Sequence, residues 1–357
     1  MTTYHLLGNT GLRVSPLALG TMTFGQDEWG TDEDASRRIF ARYLDSGGNF
    51  VDTANVYAQG RSEELVGKFI AESRTRDRVV LATKFAQTTE AGNPNSFGNG
   101  RKTIIAALDA SLRRLGTDHV DVYWMHIWDT LTPVEETMST LDGLVRAGKV
   151  RAIGLSNVPA WYVAKAQMLA RARGWEPVAA LQLEYSLVER AIEAEHVPAA
   201  LDLGIGVVPW SPLSHGFLSG KYRRSSDDYA GSGRLDAEFF RSMRDFMGSH
   251  GEHDWKVLDT LLTVATELDR PAAQVALAWV LRRPGVTSTL IGASTVEQLD
   301  DNLAAWELDL PAGHRARLDE VSATDQAGLY RMFRPELHAR FLTTGYRILR
   351  QPANTAT

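Results

Sequence analysis

Short apolar runs rich in β-branched residues alternate along the whole chain with segments that have helical spacing. Eight such runs occur, at residues 17–21, 49–52, 78–84, 120–126, 150–157, 178–186, 205–212 and 287–294. The segment after the first run is typical of those between them, because Asp32 is a suitable N-cap and Ala35, Ile39, Tyr43 and Leu44 fall on one helical face. Eight strand–helix alternations in one chain predict an α/β fold, the (β/α)8 TIM barrel with a parallel sheet.

A doubly wound dinucleotide-binding sheet is the alternative arrangement of alternating strands and helices. It requires a G-x-G-x-x-G turn directly after its first strand. The nearest matches are GIGVVP at 204–209, which lies within a strand pattern, and GSGRLD at 231–236, which lies in a polar segment. The barrel is therefore favoured.

Three segments extend a bare barrel. Residues 4–19 alternate in polarity around a central Asn-Thr-Gly and predict an N-terminal β-hairpin that could close the bottom of the barrel. A long polar loop, 213–250, follows the seventh strand, and a C-terminal tail of about 326–357 carries apolar residues at helical spacing. We expect a single barrel domain over 1–357, with a core of about 15–310.

Composition narrows the classes of function. The 357 residues are 44% hydrophobic and 23% charged, with a net charge of −6 and no basic block, so a nucleic-acid partner is not expected. No apolar run approaches a membrane span and no signal-peptide pattern is apparent, so we expect no membrane association and a cytoplasmic location. The absence of cysteine excludes disulfides and thiolate nucleophiles. The HGEHD segment at 250–254 has no identifiable third ligand, so we predict no metal site.

Polar side chains stand where the predicted strands end. In a barrel of this type the active site lies at the carboxyl ends of the strands. Buried polar groups there cost free energy unless they are paired or used. The residues at the ends of the eight runs are Thr21, Asp52, Lys84, His126, Ser156 with Asn157, Gln182, Trp210 with Ser211, and Gly292 to Ser294.

Asp52, Lys84 and His126 end the second, third and fourth runs. Neighbouring parallel strands lie about 5 Å apart, so these side chains should meet at one rim, and Tyr57 follows Asp52 in the next loop. We expect Asp52 to pair with Lys84, and Lys84 to lower the pKa of Tyr57. Tyr57 would then protonate a developing alkoxide while His126 orients it. Each residue alone could serve packing or a structural ion pair, but the four together favour catalysis.

The sequence resembles the aldo-keto reductase family over about residues 4–325, and is most similar to the branch of bacterial reductases and potassium-channel β-subunits. The resemblance rests on the motifs FVDTANVYAQGRSEELVGKFI (50–70), SLRRLGTDHVDVYWMHIWD (111–129), GKVRAIGLSN (148–157), LQLEYS (181–186), VVPWSPLSHGFLSGKY (207–222) and LIGASTVEQLDDN (290–302). It implies a catalytic tetrad of Asp52, Tyr57, Lys84 and His126. It also implies a nicotinamide cofactor bound across the barrel mouth without a Rossmann fold.

The same resemblance implies which residues would hold the cofactor. Ser156, Asn157 and Gln182 would hold the carboxamide, and Trp210 would stack on the nicotinamide ring. The pyrophosphate would follow Ser211, Leu213, Leu218 and Lys221, and the adenosine end would contact Ser294, Gln298, Asp301 and Asn302. The other expected cofactor contacts are Thr21, Met22, Asp52, Pro212 and Gly292. Glutamine stands at 298, where many members of the wider family have arginine. The channel-subunit branch also has glutamine there, and the resemblance to that branch suggests Lys221 and Arg234 as partners of a 2′-phosphate. NADPH/NADP is favoured over NADH.

Aromatic residues near the strand ends suggest the substrate. Phe24, Trp29, Phe85 and Trp128, together with Tyr57 and His126, would form a pocket for an apolar or sugar-like carbonyl compound. The expected activity is NADPH-dependent reduction of an aldehyde or ketone, with Tyr57 as proton donor. A dedicated sugar or secondary-metabolite ketoreductase or dehydrogenase, and a non-catalytic cofactor-binding regulatory subunit, are the alternatives. The state of oligomerisation and the role of the loop 86–102, a lid or a solvated connection, stay open.

Overall fold

The computed structural model describes residues 1–225, 228–230, 235, 237–238, 240–242, 250–324, 328–342 and 346. The chain divides into two compact units, residues 1–322 and residues 323–357. The first unit contains the whole barrel, and the second contains the C-terminal segment.

Eight parallel strands form the barrel, which confirms the predicted (β/α)8 fold. The strands of the first unit are β1 (His5–Leu6), β2 (Arg13–Val14), β3 (Leu17–Gly20), β4 (Phe50–Asp52), β5 (Val80–Phe85), β6 (Val120–Met125), β7 (Val150–Ser156), β8 (Val178–Glu184), β9 (Gly206–Trp210), β10 (Arg223–Ser225), β11 (Asp228–Ala230) and β12 (Thr289–Ile291). Strands β3 to β9 pair in chain order, and β12 pairs with β3. The Val207 N–H donates to Gly285 O at 2.9 Å and the Thr287 N–H donates to Val207 O at 2.8 Å, so the chain entering β12 also joins β9. All eight predicted runs are strands, with ends that differ by a few residues.

The predicted N-terminal hairpin is formed by the antiparallel strands β1 and β2. Its Leu7 and Val14 are fully buried in the same apolar cluster as Phe50 and Trp124, which face the barrel interior. Gly8 has a φ of +57°, and a β-carbon there would lie 2.2 Å from the carbonyl oxygen of Ala179, near the start of β8. The hairpin therefore closes the amino-terminal end of the barrel, opposite the strand ends that carry the polar residues.

Helices cover the outside of the barrel, most of them between successive strands and two after the last strand. They are α1 (Glu33–Asp45), α2 (Arg61–Ser73), α3 (Arg101–Leu115), α4 (Val134–Arg146), α5 (Ala160–Arg173), α6 (His196–Leu203), α7 (Glu252–Glu267), α8 (Ala272–Leu281), α9 (Val296–Ala304) and α10 (Ala312–Val321). Asp32 caps α1 as predicted, because its carboxylate accepts the Ala35 N–H at 2.7 Å. Ile39 and Tyr43 of the same helix are buried against the strands. One apolar layer thus lies between strands and helices and a smaller one lies inside the barrel.

The segment after β9 contains more regular structure than a polar loop implies. A 3-10 helix covers Ser214–Ser219, and β10 pairs with β11 in antiparallel fashion. In the second unit, short helices α11 (Gly328–Arg331) and α12 (Pro335–Phe341) occur within the predicted tail. None of the helices in the described residues is long and apolar enough to cross a membrane.

Candidate active site

Lys84 is the centre of the polar cluster at the barrel mouth. It stands near the end of β5 and its side chain is fully buried. The ammonium group contacts Asp52 Oδ1 in a close ion pair, donates to Thr53 O at 2.9 Å and donates to the Tyr57 hydroxyl at 3.1 Å. The three donors of one ammonium thus join the carboxylate and the phenol.

Asp52 and Lys84 form a coupled buried pair. The second carboxylate oxygen of Asp52 accepts a hydrogen bond from Gln182 Nε2 at 3.0 Å. Burial raises the pKa of Asp52, against the lowering effect of Lys84 and Gln182. Burial lowers the pKa of Lys84, but the charges of Asp52 and Tyr57 outweigh it, so the Lys84 pKa is raised. Lys84 is therefore held as an ammonium beside Tyr57.

Tyr57 is held by an unusual turn. It begins a 3-10 helix over Tyr57–Gly60, in which Ala58 (φ 47°) and Gln59 (φ 55°) adopt left-handed conformations. Non-glycine residues rarely adopt such angles unless the surroundings fix them, and they cluster at functional sites. The ring centroid of Tyr57 lies 4.7 Å from Lys84 Nζ and 6.0 Å from the His126 ring, which it meets edge to face. The turn thus brings the phenol to the polar strand ends.

His126 follows β6 and is 9% exposed. Its Nδ1 atom is buried without a hydrogen-bond partner among the described residues. Burial first, and the charge of Lys84 second, hold the pKa of His126 well below its usual range, so the imidazole is neutral at neutral pH. The structure therefore brings Asp52, Tyr57, Lys84 and His126 together at one rim.

Behind these residues lies a layer of hydroxyl contacts that the sequence did not indicate. The Ser62 hydroxyl, at the start of α2, lies 2.9 Å from Thr21 Oγ1 and 3.0 Å from Thr53 Oγ1. The next residue, Glu63, accepts a hydrogen bond from the Thr83 hydroxyl at 2.5 Å. The first turn of α2 is thereby fastened to the ends of β3, β4 and β5. Strand alternation predicts that Thr83 points away from Lys84. The sequence does not indicate that Glu63 is the hydrogen-bond partner of Thr83.

The residues predicted to hold the nicotinamide contact one another or the polar cluster. Trp210, at the end of β9, is partly exposed and its indole N–H donates to Asn157 Oδ1 at 3.2 Å. Asn157 Nδ2 donates to Ser156 Oγ and to the carbonyl oxygen of His126, and Asn157 has a φ of 51°. Gln182 reaches Asp52, as described above. These contacts fix a flat aromatic face beside several amide groups.

Two further residues predicted to contact the cofactor, Thr21 and Met22, differ in exposure. Thr21 is fully buried, and its hydroxyl donates to the carbonyl oxygen of Asp52 and contacts Ser62. Its side chain thus supports the rim rather than facing the mouth. Met22, the next residue, is partly exposed.

The predicted pyrophosphate segment follows Trp210. Ser211 Oγ accepts the His215 N–H at 2.9 Å, and Lys221 is exposed. Pro212 and Leu218 are buried, and Leu213 packs on the outer apolar layer, so these side chains contribute to packing. Arg234 lies outside the described residues.

The predicted adenosine end is the start of α9. Thr295 caps this helix, and Gln298 Oε1 accepts the Ser294 N–H at 2.9 Å. Asn302 is buried and donates to Gly292 O at 3.1 Å, while Gln298, Asp301 and Gly292 are exposed. An exposed polar helix N-terminus favours a phosphate-bearing group. Together with the Trp210 face, the amides and Lys221, this donor set fits a nicotinamide dinucleotide.

The predicted aromatic pocket is only partly assembled at the mouth. Phe24 and Phe85 are fully buried, and their rings pack on Phe69 and Tyr123 between the strands and the helices. This placement corrects their assignment to the pocket. Phe85 follows Lys84 directly, and strand alternation turns the two side chains to opposite faces.

The other two predicted pocket aromatics, Trp29 and Trp128, each pack on a further aromatic ring. Trp29 packs edge to face on Phe240 at 5.2 Å. Trp128 packs edge to face on Trp161 at 5.4 Å and also contacts Tyr162. Trp161, which the sequence did not single out, is 55% exposed.

Hydrogen bonds hold the C-terminal part of the loop 86–102 in place. The Asn99 N–H donates to Asp129 Oδ2 at 2.8 Å, and the Asp129 N–H donates to Asn99 Oδ1 at 2.8 Å. Asn99 Nδ2 also donates to the carbonyl oxygen of Ile127, next to His126. This part of the loop is therefore tied to the connection that follows β6.

The fold and the site define a (β/α)8 oxidoreductase in which a buried lysine donates a hydrogen bond to a tyrosine at the barrel mouth. The chain belongs to the aldo/keto reductase family, whose model matches residues 16–323. It is 41% identical over 315 residues to the uncharacterized oxidoreductase YrpG of Bacillus subtilis, covering 86% of this chain and 92% of that protein. It is 34% identical over 333 residues to norsolorinic acid reductase of Aspergillus flavus, covering 90% of this chain and 82% of that protein. It is 32% identical over 346 residues to aryl-alcohol dehydrogenase [NADP(+)] of Phanerodontia chrysosporium, covering 92% of this chain and 88% of that protein.

Proposed function

We propose that this protein is an NADPH-dependent carbonyl reductase that reduces an aldehyde or ketone with Tyr57 as the proton donor. The observation that carries the proposal is the Lys84 ammonium, which contacts the Asp52 carboxylate and lies 3.1 Å from the Tyr57 oxygen. A buried cation shared by a carboxylate and a phenol makes the phenol a good acid, because the phenolate that forms on proton transfer is stabilised.

The residues of the site divide the chemistry between them. Bound NADPH supplies the hydride. Tyr57 donates its proton to the carbonyl oxygen as negative charge develops there, and Lys84 stabilises the phenolate that remains. Asp52 keeps Lys84 charged and in place. His126, neutral because of its burial, donates an N–H to the same oxygen and orients it.

The preference for NADPH over NADH rests on two supports. Lys221 is an exposed cation in the segment proposed to follow the pyrophosphate. One relative carries NADP(+) in its name. Substitution of Lys221 by Met should weaken NADPH binding more than NADH binding, because only NADPH has the additional phosphate charge. Equal losses for both cofactors would place the 2′-phosphate elsewhere.

The substrate class that we propose is an aromatic carbonyl compound. Two relatives are named for an aryl alcohol and for norsolorinic acid. Trp128 and the 55%-exposed Trp161 supply aromatic surface on the chain that follows His126 and Asn157. Such surface favours a planar, apolar ring over a sugar.

Turnover by the purified protein tests this function. NADPH consumption is followed with benzaldehyde-type aldehydes, aryl ketones, matched aliphatic carbonyls and open-chain sugars. We expect the highest kcat/KM with an aromatic carbonyl. Higher kcat/KM for the sugars would instead identify a sugar reductase. Tight NADPH binding without turnover of any compound would favour a cofactor-binding regulatory subunit.

A further inference from the structure

A charged network centred on the buried Glu63 lies directly behind the Tyr57 turn and the Lys84 strand. Glu63, in the first turn of α2, is fully buried. One carboxylate oxygen accepts the Thr83 hydroxyl at 2.5 Å, and the other accepts Arg114 Nε of α3 at 2.6 Å. A buried carboxylate is expensive unless both oxygens are paired, and here both are.

The Thr83 contact connects this network to Lys84. Thr83 and Lys84 are consecutive in β5, so their side chains point to opposite faces of the strand. Lys84 enters the mouth, and Thr83 meets Glu63 in the helical layer. The Glu63 contact thereby fixes the height and rotation of the strand end that presents the ammonium.

The Arg114 contact connects the same network to Tyr57. The turn that starts at Tyr57 ends at Gly60, which has a φ of +94° and leads straight into α2. A β-carbon at Gly60 would lie 2.7 Å from Cδ and 2.9 Å from Nε of Arg114, so the arginine lies directly against the turn. Arg114, oriented by Glu63, backs the end of a turn that already contains two left-handed non-glycine residues.

We infer that Glu63 is a positioning residue that sets the separation of Tyr57 and Lys84 through Arg114 and Thr83. It touches neither the substrate nor the reacting atoms. The inference rests on the proposed function of Tyr57 and Lys84, and it adds the residue that keeps the Lys84 ammonium within hydrogen-bond distance of the Tyr57 hydroxyl. A displacement of about 1 Å in such a pair can cost about 100-fold in rate.

Thr83→Val and Thr83→Ser form the central test, because valine keeps the shape and serine keeps the hydroxyl. We expect kcat to fall about tenfold or more in Thr83→Val and to return towards wild type in Thr83→Ser. KM and the Kd for NADPH should stay within about twofold in both, because the nicotinamide-binding residues lie on other strands. Glu63→Gln should lose kcat similarly, and the Glu63→Gln/Thr83→Val double variant should lose little more, because both act through one contact.

Asp121→Asn is the matched control. In wild type, the Asp121 carboxylate pairs with Arg76 and accepts the Leu81 N–H of β5. The substitution breaks the ion pair, and it perturbs the amino-terminal half of the strand instead of the end that carries Lys84. This variant should lower Tm without lowering kcat. If the folded Thr83→Val protein has wild-type kcat, Glu63 is a structural residue only and the inference is overturned. Should Thr83→Val not fold, wild-type kcat in Glu63→Gln overturns the inference in the same way.

A second readout separates this inference from the proposed function. The ionisation of Tyr57 is measured without any substrate, from the phenolate absorbance as a function of pH. The absorbance of the same protein carrying Tyr57→Phe is subtracted, so that only the Tyr57 signal remains. If wild type reduces no carbonyl compound, the proposed function fails, yet Thr83→Val should still shift the Tyr57 titration midpoint. An unmoved midpoint overturns the positioning role by itself.

Discussion

Glu184 allows the electrostatics of the barrel mouth to be tested through stability alone. It is the last residue of β8, in register with Trp210 of β9, and Oε1 lies 3.8 Å from His215 Nε2. Burial first, and the charge of Glu189 second, raise the pKa of Glu184 from 4.5 to about 7. A folded-state pKa above the unfolded value means that the group stabilises the fold at low pH and loses this contribution as pH rises through 7.

The magnitude follows from the size of that difference. Each pKa unit corresponds to about 1.4 kcal/mol, so an ionised Glu184 costs the folded state about 3 kcal/mol above pH 7, as an upper limit. Glu184→Gln removes the charge and nearly keeps the shape. Relative to wild type, the variant should therefore gain up to about 3 kcal/mol in unfolding free energy between pH 4.5 and pH 8.

Urea unfolding of wild type and Glu184→Gln at both pH values measures this gain. Glu297→Gln is a control of opposite sign, because hydrogen bonds from its own backbone and from Thr295 lower the pKa of this exposed carboxylate. It should bring no gain at the higher pH. A Glu184→Gln effect that is the same at both pH values, or that turns destabilising at pH 8, would show that an ionised Glu184 does not destabilise the fold.

Three further substitutions test other parts of the site. Lys84→Met should lower the unfolding free energy by about 3–5 kcal/mol, because it leaves Asp52 buried and unpaired, and adding Asp52→Asn should restore part of that loss in urea unfolding. His126 has a folded pKa below its unfolded value of 6.5, so wild type should lose stability as pH falls below 6.5, and His126→Gln should show a smaller loss in the same titration. Trp210→Leu should raise the Kd for NADPH about tenfold in a fluorescence titration, because a flat face is lost.

The barrel architecture and the polar residues at its rim were predictable, because both depend on the regular alternation of strands and helices along the sequence. Eight strand–helix alternations define the barrel, and consecutive parallel strands bring the ends carrying Asp52, Lys84 and His126 side by side. Tyr57 could be placed only as a residue of the following loop. The left-handed angles of Ala58 and Gln59, which aim the phenol, are not encoded by residue type.

The errors and omissions have a common physical origin in side-chain direction and long-range contact. The position of Phe85 directly after the third predicted run suggests a place in the pocket, yet the alternation that turns Lys84 inward turns Phe85 outward. Glu63 and Arg114 are separated by 51 residues, and their pairing depends on how α2 packs beside α3. Local pattern does not specify such a contact.

The role of Tyr57 as proton donor is tested most directly by comparing wild type with Tyr57→Phe at saturating NADPH and an aromatic aldehyde. We expect kcat to fall by about 100-fold to 10,000-fold, because the general acid is lost. The Kd for NADPH should remain unchanged, because the phenol hydroxyl is not among the groups proposed to hold the cofactor. Wild-type turnover in the folded Tyr57→Phe protein would contradict the assignment of Tyr57 as proton donor.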